Sequence, residues 1–111
     1  MNNERRSELL PGTLEMLVLK TLSLDEMHGY GIAQQLKRLS RDMLKVEEGS
    51  LYPALQRMQL KGLIKSKWGV TPTQRRARYY ALTAMGRKPL GIEASSYERL
   101  LMAMALIMDA E

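Results

Sequence analysis

A mainly α (α+β) fold of the winged helix-turn-helix type, with a two-stranded β-wing and a C-terminal dimerisation helix, is predicted by three features of this 111-residue chain. Three short stretches of helical apolar spacing fill the chain up to Gly62. Two β-prone runs then flank a basic, turn-rich segment. The chain closes on a long apolar stretch that steps by three and four residues. The expected organisation is a flexible polar arm at residues 1–9, a winged-helix unit at 10–83 and a dimerisation helix at 84–111.

The elements follow in order. After Pro11 and Gly12, Thr13 is the expected cap of a first helix with Leu14, Leu17, Val18 and Leu22 on one side. Ser23 to Gly29 is a break. A second helix is expected from about Tyr30 to Arg41, with Ile32, Ala33, Leu36 and Leu39 inward and Gln34, Gln35, Lys37 and Arg38 outward. Leu44-Lys45-Val46 could form a single strand. Glu48, Gly49 or Ser50 would then cap a third helix, with Pro53 in its first turn and Lys61-Gly62 at its end. Leu63 to Gly69 and Ala77 to Leu82 read as the two wing strands, joined by the basic loop from Val70 to Arg76. Thr83 is the expected cap of a last helix reaching about Met108, its first turns weakened or kinked by Gly86 and Pro89.

Composition removes whole classes of function. The chain has no Cys and one histidine, His28, so thiolate chemistry is excluded and a metal site or His-centred catalytic set is not expected. Glu47 and Glu48 are adjacent and point apart, which argues against a carboxylate dyad. No strand is expected before the His28-Gly29-Tyr30-Gly31 run, and it lacks the Lys-Ser/Thr ending of a phosphate loop. No catalytic residue and no cofactor is expected. No run of about 18 apolar residues occurs and the first ten residues are polar, so the expectation is a cytoplasmic protein without a membrane partner.

The net charge of +5 is unevenly placed. Acids and bases balance up to Leu44, and acids exceed bases from Lys88 onward. Between Lys45 and Arg87, nine bases stand against Glu47 and Glu48 alone. A basic middle of this kind is a footprint for a polyanion, against the plainer alternative of a solvated Lys/Arg-rich surface.

On a helical wheel of the third helix, Leu51, Ala54, Leu55 and Met58 share one sector and face the core. Pro53, Gln56, Arg57 and Leu60 lie opposite, flanked by Tyr52 and Gln59, with Lys61 at the end. Gln and Arg are the side chains whose paired donors and acceptors match base edges in the major groove. The second constellation is the wing: Arg75 and Arg76 in the loop, Lys65 and Lys67 on the strand before it, Arg78 on the strand after. Such a ribbon can lie along a phosphate backbone. Tyr80 and Leu82 are expected on the core face and Tyr79 on the other, with Trp68 packed beneath the wing rather than stacked on a base. The third constellation is the apolar seam Leu90, Ala94, Tyr97, Leu101, Met104 and Met108, widened by Leu100, Leu106 and Ile107. It is broader than one small domain covers, which points to a two-fold homodimer rather than a fold-back onto the first helix.

The runs LPGTLEMLVLKTL, MHGYGIAQQL, VEEGSLYPALQRMQLKGLI and WGV followed by RRARYYALTAMGRK together resemble the PadR family of bacterial transcriptional regulators, in its short subgroup with a single C-terminal helix. The likeness runs from about Leu10 to Leu90. It implies a dimer whose third helix enters the major groove of double-stranded DNA. Such proteins are mostly repressors of neighbouring genes, some of them released by a small-molecule effector of aromatic or drug-like character. Position by position, Tyr30, Ser50, Tyr52 and Pro53 match the family's DNA-facing motif, and Arg75, Arg76 and Arg78 its wing. One departure concerns the effector: relatives often carry a Trp on the last helix that stacks on a planar ligand, and here Tyr97 stands at that place.

The reading is a sequence-specific DNA-binding regulator, expected to be a repressor that binds an inverted-repeat operator as a homodimer. The competing reading is a winged-helix protein–protein interaction module whose basic face docks an acidic partner.

Overall fold

The structure, a computed structural model, describes residues 12–111; the polar arm expected at 1–9 lies outside them. Helix α1 (Thr13–Leu24) is followed by a short strand β1 (Met27–His28), helices α2 (Gly29–Leu39) and α3 (Glu48–Leu60), strands β2 (Ile64–Val70) and β3 (Arg76–Leu82), and the long helix α4 (Ala84–Met108). The strands form one antiparallel sheet in the order β1-β3-β2. This is the winged helix-turn-helix arrangement, with β2 and β3 as the wing.

One apolar centre holds the three short helices together. Val18 and Leu22 from α1, Ile32 and Leu36 from α2, and Leu51, Leu55 and Met58 from α3 are each spaced by one helical turn and buried together. Ile64, Tyr80 and Leu82 close it from the sheet. Burial of each such side chain stabilises the fold by about 1.5–3 kcal/mol, and this shared core fixes where α3 and the wing stand. Tyr80 and Leu82 lie on the core face as their alternation predicts.

Several boundaries differ from the sequence expectation, each for a local reason. Thr13 is the first helical residue and not the cap; Gly12 holds that place at φ 86°, a left-handed conformation natural to glycine, and no side chain caps the end. Helix α2 stops at Leu39 because Arg41 and Asp42 turn left-handed, with φ of 53° and 65°, and Asp42 N–H donates to the Lys37 carbonyl at 2.8 Å. No strand forms at Leu44–Val46. The third strand is Met27–His28 instead, paired with Tyr80 and Tyr79 of β3. Two residues carry no periodic signal, so only the partner strand reveals them.

Helix α3 begins at Glu48 after Glu47, without a side-chain cap. Pro53 is therefore its sixth residue and sits in the second turn, not the first. The Gly49 carbonyl that a residue there would bond lies on an exposed face, where water can serve it. The first wing strand is shifted by one residue, to Ile64–Val70, and the second begins one residue earlier than expected, at Arg76, and ends at Leu82 as expected.

Thr83 caps α4 as expected, its Oγ1 accepting from Gly86 N–H at 3.1 Å. The same hydroxyl stands 2.7 Å from the Gly62 carbonyl oxygen and 2.9 Å from that of Leu63, tying the start of α4 to the start of β2. Gly86 is the buried residue of this junction: a Cβ there would run into the Leu63 carbonyl oxygen and approach Leu82 Cδ1 to 2.8 Å. The glycine expected to weaken the helix instead permits its close docking. Helix α4 then runs without interruption past Pro89 and away from the body, giving overall dimensions of 56 × 35 × 21 Å.

Candidate nucleic-acid interface

The N-termini of α2 and α3 meet at one place, where the His28 cap and the Tyr52 ring lie beside Gly29. His28 caps α2: its Nδ1 accepts from Gly31 N–H at 2.9 Å. That bond requires a lone pair on Nδ1, so the cap works with an imidazole unprotonated at this nitrogen. The His28 ring also meets Tyr79 edge-on at 5.3 Å and stacks with Tyr30 at 6.4 Å. Tyr30 is exposed, and its hydroxyl accepts from Gln34 Nε2 at 2.5 Å, one turn along the helix.

Tyr52 of α3 lies against Gly29, where a Cβ would come within 2.6 Å of its ring. A side chain at this position would displace the Tyr52 ring, so glycine lets that ring seat against the start of α2. Burial, then the Glu48 carboxylate and Tyr80, push the Tyr52 phenol above the usual tyrosine range. It therefore stays a neutral donor and acceptor at physiological pH.

Facing these helix starts is the wing. Strand β1 covers only Tyr79 and Tyr80, so the same edge of β3 stays open from Arg76 to Arg78. That stretch lines a cleft of about 880 Å³ whose other wall is His28, Tyr30, Gln34 and Tyr52. Arg75, Arg76 and Arg78 bring three cations into it, and Thr71 to Thr73 form its outer lip. A second hollow of about 360 Å³ adjoins it, between Arg78 and the α3 side chains Tyr52, Gln56, Gln59 and Leu60. The two together make a continuous concave face. Cationic on one side, aromatic and amide-bearing on the other, it can accept an acidic backbone while offering Gln side chains to whatever lies beside it.

Of the residues singled out from the sequence, Tyr30, Tyr52, Gln56, Arg75, Arg76 and Arg78 converge on this face. Ser50 and Pro53 are exposed on α3 but line neither hollow. Arg57 and Lys61 lie on the opposite flank of α3, both held by Glu15 of α1 at 3.4 and 3.3 Å. Lys67 lies on the sheet face away from Arg78, and its Nζ is 3.9 Å from Glu26.

Trp68 departs from its expected place. It is 56% exposed and does not pack beneath the wing; Arg76 and Arg78 stack over its ring at 4.7 and 5.0 Å. The wing projects past the core, so its distal side chains have no body to pack on. Sequence reasoning placed Gln34 and Gln59 on outward faces without singling them out as site residues, and it missed the cap role of His28 and the acidic anchor Glu15. The first two were readable as polar positions one turn from a tyrosine or a glutamine; Glu15 depends on a contact across 42 residues.

The apolar seam lies apart from this face. Leu90 is half-buried against the core, and Tyr97 is half-buried. Ala94, Leu101, Met104 and Met108 are exposed, as are Leu100, Leu106 and Ile107. Among the described residues no helix is long and apolar enough to cross a membrane, and no three His, Asp or Glu gather as a metal-holding group.

Comparison with known proteins places the arrangement. The model of the transcriptional regulator PadR-like family matches residues 18–92. A transcriptional regulator of Mycobacterium tuberculosis is 31% identical over 93 residues, which cover 84% of this chain and 83% of that one. The crystal structure of a PadR-like transcriptional regulator from Bacillus cereus superposes with a TM-score of 0.77 at 28% identity, covering 90% of this chain and 95% of that one. A PadR family transcription regulator from Clostridium difficile superposes at 0.74 with 30% identity, covering 87% and 99%. The likeness spans the helices that position the concave face, the wing and the start of α4, and this chain belongs to the PadR-like family of DNA-binding transcriptional regulators.

Proposed function

We propose that the chain acts in the cytoplasm as a homodimeric repressor that binds an inverted-repeat operator in double-stranded DNA. The observation that carries this reading is the shared face of α3 and the wing, with Gln56 and Gln59 beside Arg78 and with Arg75 and Arg76 in the adjoining cleft. Arginines on the ribbon engage phosphates and set the register, while the glutamines of α3 read base edges.

Dimerisation is supported by α4. Eight large apolar side chains from Ile92 to Met108 are exposed on it, more than a monomer ordinarily leaves in water. A second copy of the same helix is the self-complementary partner for such a stripe, and a two-fold pair presents its α3 helices to half-sites about 34–36 Å apart.

The deciding experiment is a gel shift on the DNA upstream of the protein's own gene, titrated with salt. If the dimer neutralises about eight phosphates, log affinity falls against log salt with a slope of about −7. A slope near zero, or no binding at about 50 mM salt, sinks the DNA reading and leaves the protein-interaction module standing.

A further inference from the structure

We infer that Trp68 is a positioning residue for DNA binding: its indole backs the guanidinium groups of Arg76 and Arg78 and holds both into the cleft as a two-point clamp for phosphodiester groups. The inference rests on the DNA-binding reading of that cleft. In the β2–β3 register Trp68 is directly opposite Arg78, and Arg76 is the diagonal neighbour on the same face. Both guanidiniums lie over the indole, at 4.7 and 5.0 Å from its centre. Both arginines line the cleft, whereas Trp68 lines neither hollow. The ring therefore stands behind the cations and not among the ligand-facing groups.

Chemistry explains what such a backing does. A guanidinium stacked on a ring keeps its N–H donors in the plane of the stack, directed past the ring edge and available to phosphate oxygens. Arg78 spends one donor on Ser66 Oγ at 2.7 Å, which fixes the rotation of its fork and leaves the remaining N–H groups for a ligand. Two arginines on neighbouring positions repel each other, and the electron-rich indole face offsets that repulsion. Without it, each long side chain would surrender rotamer freedom on meeting DNA. A tryptophan 56% open to water at the end of a projecting ribbon contributes little to the core, so folding alone does not account for it.

Trp68 is the only tryptophan of the chain, so its emission reports on the stack directly. In the protein without DNA, replacing both arginines (Arg76→Gln with Arg78→Gln) should raise acrylamide quenching of that emission. Unchanged quenching overturns the stack. Affinity for a fluorescein-labelled mixed-sequence duplex is then measured in a double-mutant cycle across a salt series. Trp68→Leu should weaken binding roughly tenfold at low salt and flatten the salt slope, Trp68→Tyr should restore most of the loss, and the melting midpoint should stay where it is. In the Arg76→Gln, Arg78→Gln background, Trp68→Leu should have almost no effect. An equal loss in both backgrounds overturns the inference, because Trp68 would then touch DNA itself or hold the fold. Normal binding by Trp68→Leu overturns it as well, while leaving the DNA reading intact. A wild type that binds no duplex removes that reading, and the clamp with it, even if the quenching result stands.

Discussion

Helices α3 and α4 both carry apolar stripes, and they meet opposite fates. In α3, thirteen residues long, Leu51, Ala54, Leu55 and Met58 are all fully buried, and the exposed side is mostly polar. In α4, twenty-five residues long, the buried residue is Gly86, and the large apolar side chains from Ile92 to Met108 stand in water. A stripe satisfied inside its own chain makes a rigid platform, so the opposite side of α3 is available for recognition. In the proposed homodimer, a second copy would cover the stripe left unsatisfied. The first helix positions the contact surface; the second would then bring two such surfaces together.

The largest expected effect breaks the contrast at α4. Leu101 lies mid-seam and is 49% exposed in the single chain. Leu101→Glu should yield a monomer at micromolar concentration with the winged-helix body still folded, since a charge buried without a partner is strongly disfavoured. Operator affinity should fall about a hundredfold or more, because the second half-site is no longer tethered to the first. Sedimentation velocity decides the matter: a variant that stays dimeric, or a wild type that is already monomeric, refutes the seam.

Two glycines of α4 separate its docked start from its free length. Gly86→Ala should cost about 1–3 kcal/mol, since the added Cβ meets the Leu63 carbonyl oxygen and nothing there can give. Gly91→Ala meets nothing within 4 Å, so the change should stabilise by up to about 1 kcal/mol through helix propensity alone. Urea unfolding of both variants checks the pair, and equal signs would show that the junction is looser than described.

On α3, the expected difference is between reading and holding. Gln56→Ala should cost about 1–3 kcal/mol on the operator and little on random duplex. Arg75→Ala with Arg76→Ala should weaken all duplexes alike and flatten the salt slope. If the two sets behave identically in competition binding, α3 is not the reader.

The smallest effect concerns the other flank of the same helix. Glu15 holds Arg57 and Lys61 away from the cleft, through pairs in which both cations are more than half exposed. Glu15→Gln should change stability by less than about 1 kcal/mol. It should also raise non-specific duplex affinity a few-fold and steepen the salt slope, because two cations are no longer neutralised in place. An unchanged slope would show that Arg57 and Lys61 stay clear of DNA whatever Glu15 does.

The order of the four helices and the two wing strands was legible from sequence because each of these depends on local periodicity. The spacings Val18–Leu22, Ile32–Leu36 and Leu51–Leu55–Met58 specify helix faces without knowledge of neighbours, and the Thr-rich basic turn between two β-prone runs specifies a hairpin. The polar face of α3 and the basic wing were legible for the same reason: once the inward side of an amphipathic element is known, the outward side follows. Other facts depend on which distant residues meet. Strand β1 exists because Met27 and His28 pair with Tyr80 and Tyr79, and a two-residue run has no period of its own. Arg57 and Lys61 face α1 because Glu15 lies beside them in space. Gly86 is a docking point and not a weak spot because the Leu63 carbonyl occupies the volume a side chain would need. Trp68 lies outside the core because the wing extends past the body that would have covered it, and two arginines cover its face instead. Local periodicity determined which residues turn inward; only the tertiary structure decided what each outward-facing residue would meet, since that is set by packing between segments far apart in the chain.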